Sequence, residues 1–172
     1  SWGSVGGDVV RAFRVPFVIV LVLSAIELVN TVLLHRLNGL GVQPRELVGL
    51  VGVVAMPFLH GGLAHLVSNS IAVMLFGSTL MLMRPKGEML FVSVFTGVVA
   101  GLFVWCVGKA GSHHVGYSGV LFGYFGYLVS IGAFERKIGT VLLSVSFGLV
   151  YGAMIFGVLP GQDGISWEGH LG

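Results

Sequence analysis

The sequence predicts an all-α fold, a polytopic membrane protein, from three observations. Only 9% of its 172 residues are charged while 55% are hydrophobic, and mean hydropathy is +0.98, far from the roughly 25% charged residues of soluble domains. Five apolar runs approach the roughly 20 residues that a helix needs to cross a hydrocarbon core. The lysines and arginines gather beside and between those runs, as loop residues of a membrane protein do.

The same figures exclude several classes of function. A net charge of +2, with basic residues scattered along the chain, gives no basic stripe of the kind that a nucleic-acid surface presents. No nucleic-acid partner is expected; the first partner is the lipid bilayer. Cys106 is the sole cysteine, so no intrachain disulfide is available.

The runs place helices at about 16–34, 59–83, 89–107, 117–134 and 138–160, with a sixth starting near 167 and cut off. The first run is too long and too late for a signal peptide, and no small-residue cleavage site follows it. Both ends of the chain read as internal points of a longer protein. Between the first two spans, "GVQPRELVGLVGVVAMPFLH" mixes apolar residues with Pro44, Arg45 and Glu46, the pattern of an interfacial element along the outer surface. If the N-terminus is cytoplasmic, Arg11, Arg14, Arg84, Lys86, Arg136 and Lys137 fall inside, leaving Arg36, Arg45 and Lys109 outside. Six against three favours that orientation. It puts the starts of the second, fourth and sixth helices on the outer side.

Three polar clusters lie at those starts: "HGGLAHLVSN" with His60, His65 and Asn69, "GYSG" with Ser118, and "WEGHLG" with His170. Ionisable groups within spans are costly and face an interior or a water-filled cavity. On a helix starting at 59, His65 and Asn69 share a face, while His60 is turned about 140° from His65. Histidine is suited to take a proton from a serine near neutral pH, and Ser118 and His170 stand in the first turns of helices that begin on one side. Gly119 and Gly123 form a GxxxG face beside Ser118 that permits close approach. His65, Asn69 and the Ser118 amide would supply donors to a developing oxyanion. Taken singly each cluster has a plainer reading: a small-residue packing face for GxSG, and an interior histidine, a proton relay or a metal ligand for the histidines. Metal is disfavoured, since the five-residue spacing splits His60 from His65 and neither cysteine nor carboxylate accompanies them.

Together, His60-x4-His65-x3-Asn69, Gly116-Tyr117-Ser118-Gly119 and Gly169-His170 resemble the rhomboid intramembrane serine proteases, from about Phe58 to the end of the chain. The resemblance implies one rhomboid-like transmembrane domain over residues 1–172, a six-helix bundle whose sixth helix is truncated here. It also implies a catalytic Ser118–His170 dyad without a third carboxylate member, an oxyanion hole of His65, Asn69 and the Ser118 amide, a structural His60, and no cofactor or metal. The substrate it implies is a transmembrane segment of another protein, entering sideways near the fifth helix and cleaved where locally unwound. A multi-pass protein in the plasma membrane of a prokaryote, with its active site toward the outer side, is the expected setting. Two features depart from the pattern: Phe122 stands where the family often has an aromatic hydroxyl, and the sixth helix stops two residues after His170. The alternative is a non-catalytic membrane binding protein of the same fold. A small transporter would call for internal repeats and interrupted helices with midplane charges.

Two further features belong to structure on this reading. His113 and His114 precede Ser118 in a loop and are expected to face solvent. Glu27, midway along the first span with Asn30 near it, is expected to hydrogen-bond to a neighbouring helix.

Overall fold

The computed structural model describes residues 2–153. The expected end of the fifth span, the start of the sixth and His170 lie outside the described residues. Within them every regular element is helical, and the single β-type contact is an isolated bridge between Val42 and His114.

The first helix, α1, runs from Trp2 to Val32 and so begins well before the expected start at 16. An apolar run measures hydrocarbon thickness, whereas a helix continues into water wherever its side chains allow. Asp8 and Arg11, exposed and 4.0 Å apart at i,i+3, lie on that polar extension. After α1 come a 3-10 turn at Arg36–Leu40, another at Leu47–Val51, a short α2 at Gly52–Ala55 and a last 3-10 turn at Met56–Phe58. The second long span is composite: α3 (Leu63–Ala72), a π turn at Val73–Gly77 and α4 (Ser78–Met83). Three more helices follow, α5 (Lys86–Val107), α6 (Ser118–Glu135) and α7 (Ile138–Tyr151).

By length and composition, Gly7–Val32, Leu63–Met83 and Lys86–Val107 can each cross a bilayer. The outer surface agrees: Val10, Phe17, Leu28, Phe91, Val94 and Leu149 are all exposed, an apolar coat that suits lipid and not water. The core joins α1, α3–α4, α5 and α6 through Leu23, Phe76, Met89, Tyr124 and Leu128, all completely or almost completely buried.

Small residues set the helix spacing. A Cβ on Gly123 would lie 2.3 Å from Thr96 of α5, so the face expected to open α6 toward the helix carrying His170 is here used on α5 at Gly123. Gly132 meets α7, its N–H donating to Ser144 Oγ at 2.8 Å while that hydroxyl donates to the Leu128 carbonyl. The interhelical segment between α1 and α3 leaves Leu47, Val48, Val51 and Val54 exposed and packs its other face on the bundle. Val53, Met56 and Pro57 are buried, and a Cβ on Gly101 of α5 would come within 2.9 Å of Val53 Cα. The valine backbone sits where only glycine leaves room.

At one end of the bundle Arg84, just past α4, hydrogen-bonds Glu135 at the end of α6 and pairs with Glu88 of α5 at 3.5 Å, while the Tyr127 hydroxyl donates to Glu88. The α3–α4 span and α6 therefore run in the same direction with α5 returning between them. The 18 residues of α6 set their two ends about 27 Å apart.

The hydrogen bond from Arg84, with the charges of Arg84 and Lys137, holds the Glu135 carboxyl below its ordinary value of 4.5. A depressed folded-state value means that the stabilisation is complete above 4.5 and is lost as pH falls through the lower folded value. Thermal unfolding in detergent from about pH 6 to about pH 3 should lose stability on the acid side, with a shallower acid limb in Arg84→Gln. Identical acid limbs would show that the pair contributes nothing to folding.

Candidate active site

The polar end opposite Arg84 is assembled by three pieces of backbone. Leu59 is extended (φ −100°, ψ 146°) and Gly62 adopts φ 137°, a conformation open to glycine and strained for other residues. The Gly61–Gly62 link thus breaks the helix that the sequence suggested from 59, and α3 begins only at Leu63. Freed from the helix, His60 folds back over it. Its ring is completely buried, stands 5.1 Å from the His65 ring edge-on, and accepts a 3.0 Å hydrogen bond at Nε2 from the Asn69 amide. His60 is therefore not turned away from its neighbours but is the partner of one and in ring contact with the other.

His65, half-buried, accepts the Gly61 N–H at Nδ1 at 3.3 Å. Occupation of Nδ1 as an acceptor leaves the neutral ring's proton on Nε2. That Nε2–H edge faces the loop before α6: the position a Cβ would take on Gly116 is 2.8 Å from His65 Nε2 and 3.6 Å from Ser118 Oγ. Gly116, at φ 129°, is the place where the α3 histidine and the α6 serine come together, and nothing larger than hydrogen fits between them.

Ser118, half-buried, is the first residue of α6. The first turn of a helix carries N–H groups with no intrahelical acceptor and the positive end of the helix dipole, so the surroundings of its hydroxyl favour negative charge. The loop leading to it is fixed at both ends. Gly116 N–H donates to the Met56 carbonyl at 2.9 Å, and His114 exchanges 3.0 Å backbone hydrogen bonds with Val42. His113 is exposed as expected, but His114 is not: it is buried, with its Nε2 2.7 Å from Ser112 Oγ. Its surroundings make it a fixture of the loop. Phe122 lies half-buried one turn after Ser118.

Of the residues singled out from the sequence, His65, Asn69 and Ser118 gather at this end of the bundle; His170 lies outside the described residues. The sequence reading missed what lies behind His60. Glu27 is buried, but its partners are the Asn30 amide and, at 3.0 Å, His35 in the turn just after α1, not a neighbouring helix. Asn38, which no motif marks, reaches the His60 carbonyl. The available signal was the polar spacing of Glu27, Asn30, His35 and Asn38 across the end of an apolar span.

Residues 46–172 match the family model of the Rhomboid domain. The chain is 32% identical over 175 residues to an uncharacterised protein of Mycobacterium tuberculosis strain H37Rv, an alignment covering 97% of this chain and 70% of that protein. With an uncharacterised protein of Mycobacterium leprae the identity is 29%, over 97% of this chain and 66% of the relative. A Bacillus subtilis protein provisionally named as a rhomboid protease is 31% identical over 80 residues, 46% of this chain and 40% of its own length. No solved structure matches the chain.

Gly116→Ala would set a methyl group 2.8 Å from two His65 ring atoms in a backbone conformation that alanine avoids. The expected cost is about 1–3 kcal/mol, read as a lowered unfolding midpoint, with a moved His65 signal in the NMR spectrum of isotope-labelled histidine. An unchanged His65 signal would mean that the ring does not touch this loop.

Proposed function

The chain belongs to the rhomboid family, and from that membership we propose that it is an intramembrane serine endopeptidase cutting transmembrane segments of other membrane proteins. Ser118 is its nucleophile and His170 its base. The observation that carries this reading is the meeting of the His65 edge and Ser118 across Gly116 at the start of α6.

The chemistry follows from these groups. Ser118 Oγ adds to the scissile carbonyl carbon while His170 takes the hydroxyl proton. The carbonyl oxygen becomes an oxyanion beside the N–H groups of the first turn of α6 and the Nε2–H of His65, with the Asn69 amide as a further donor. Collapse of this intermediate breaks the C–N bond, the proton held by His170 goes to the leaving amine, and water attacking the acyl-serine by the same route releases the acid and restores the serine. No metal or cofactor enters. Asn69 already donates to His60, and its amide has a second N–H for the oxyanion.

In the proposed topology the chain is multi-pass in a plasma membrane with its N-terminus cytoplasmic. The Arg84–Glu135 end then faces the cytoplasm and the Ser118 end the outer side. A reporter fused after Arg136 should be cytoplasmic; an external reporter there would invert the site.

Ser118→Ala should abolish cleavage of a transmembrane model substrate by the full-length protein in detergent, with the unfolding midpoint unchanged. Turnover near wild type would sink the assignment, and binding of the segment by a wild-type protein that never cuts it would favour the non-catalytic alternative. A fluorophosphonate should label Ser118 in wild type and not in His170→Ala. Asn69→Ala should lower kcat about 10²-fold with KM little changed; a full kcat with reduced thermal stability would make Asn69 a packing residue.

A further inference from the structure

The polar groups that end α1 extend beyond the needs of that helix. Glu27 and Asn30 are 4% and 0% exposed, in a span where each unpaired polar group is costly. Part of their pairing is local. The Asn30 side-chain oxygen accepts the Leu37 N–H at 3.1 Å, its backbone carbonyl accepts the His35 N–H at 2.7 Å, and Glu27 receives His35. These bonds stop the helix and hold the left-handed turn at Leu34 and His35. A helix terminus requires nothing more.

The remaining bonds lead elsewhere. The Asn30 amide donates to Asn38 Oδ1 at 2.9 Å, and the Asn38 amide donates to the His60 carbonyl at 3.0 Å, 22 residues away in sequence. His60 in turn holds Asn69 through Nε2 and abuts the His65 ring. The path therefore runs from the carboxyl group of Glu27 through two side-chain amides to the backbone of His60, which touches both His65 and Asn69. His60 is flanked on its C-terminal side by Gly61 and Gly62, the second at φ 137°, so the backbone there is soft and its carbonyl needs an external hold.

We infer that Glu27, Asn30 and Asn38 form a strut that fixes His60 and thereby aims Asn69 and His65, making the three of them positioning residues for the proposed oxyanion site. The inference rests on the serine endopeptidase reading for its kinetic consequence. Its structural part stands on the hydrogen bonds alone. The strut lies N-terminal to the segment matched by the family model, which begins at residue 46. The part-buried bonds from Asn30 through Asn38 to His60 link these groups in series, and linked hydrogen bonds are stiffer together than their separate bonds would suggest. Cutting the link at Asn38 leaves the His60 carbonyl unheld while the α1 turn keeps its Leu37 and His35 bonds.

Two measurements on the full-length protein test this. In the NMR spectrum of isotope-labelled histidine, Asn38→Ala and the gentler Glu27→Gln should both move the His60 ring signal, with near-UV circular dichroism showing that each variant is folded. A folded Asn38→Ala protein with an unmoved His60 signal overturns the strut, whether or not the protein is a protease. In the kinetic arm Asn38→Ala should lower kcat about tenfold with KM held, and this loss should shrink in an Asn69→Ala background and vanish when His65→Ala is added, because the strut acts through those two groups. An undiminished loss in the Asn69→Ala/His65→Ala background would place the effect outside those donors, and a fall in thermal stability with full kcat would assign Asn38 to folding; either result overturns positioning. A wild-type protein without Ser118-dependent cleavage would remove the endopeptidase reading and the kinetic role with it, leaving the histidine spectrum to decide the strut.

Discussion

The hydrogen bond between the Asn69 amide and the His60 ring is the joint on which the polar end of this bundle depends. A buried amide or imidazole without a partner costs about 1–3 kcal/mol, and both groups here are almost wholly removed from solvent. The bond forms where Gly62, at φ 137°, lets the chain reverse before α3. Once it has formed, one segment is tied to the side of α3, and His65 is left with its Nδ1 occupied and its other edge turned to Gly116. Backbone permissiveness at one residue thus becomes side-chain precision at three.

The two ends of the bundle handle polarity differently. Around Arg84 the side chains are 21% to 37% exposed, so solvent screens them and each pair contributes modestly. Around His60 the groups are neutral or hydrogen-bonded in buried surroundings, where a missing partner is felt in full. Between these ends the small residues of α5 and α6 bring the helices close together. Gly97, Gly101 and Gly123 lie against Val120, Val53 and Thr96, which lets the segment before α3 and the start of α6 share one wall.

Much of this was legible in the sequence. Long apolar runs reveal helices because hydrocarbon thickness is a length that composition alone can show, and Ser118, His65 and Asn69 stood out as polar groups at places where such groups are costly. What was not legible has physical causes. The helix from 59 was wrong by four residues because a run of apolar residues with two glycines scores as helix, although Gly62 takes a backbone angle that stops one. The partner of Glu27 was misplaced because His35 and Asn38 lie in a turn, and a turn's geometry follows from left-handed residues such as Leu34 that no periodicity announces. The burial of His114 depended on pairing with Val42, 72 positions away, a contact invisible to local pattern.

The π turn at Val73–Gly77 has a consequence for how the second long span is counted. A π turn holds one residue more than an α turn, and each residue rotates a helix by about 100°. Residues 63–72 and 78–83 are therefore on different clocks: the first places Leu66 and Asn69 inward, the second Leu80, and Arg84 follows in a direction that meets Glu135. A related chain that lacks one residue here would have to be aligned with a gap inside what looks like uninterrupted helix. Without that gap every position after the turn would be compared with one about 100° round the helix, and core-facing residues would be matched to positions rotated well away from the core.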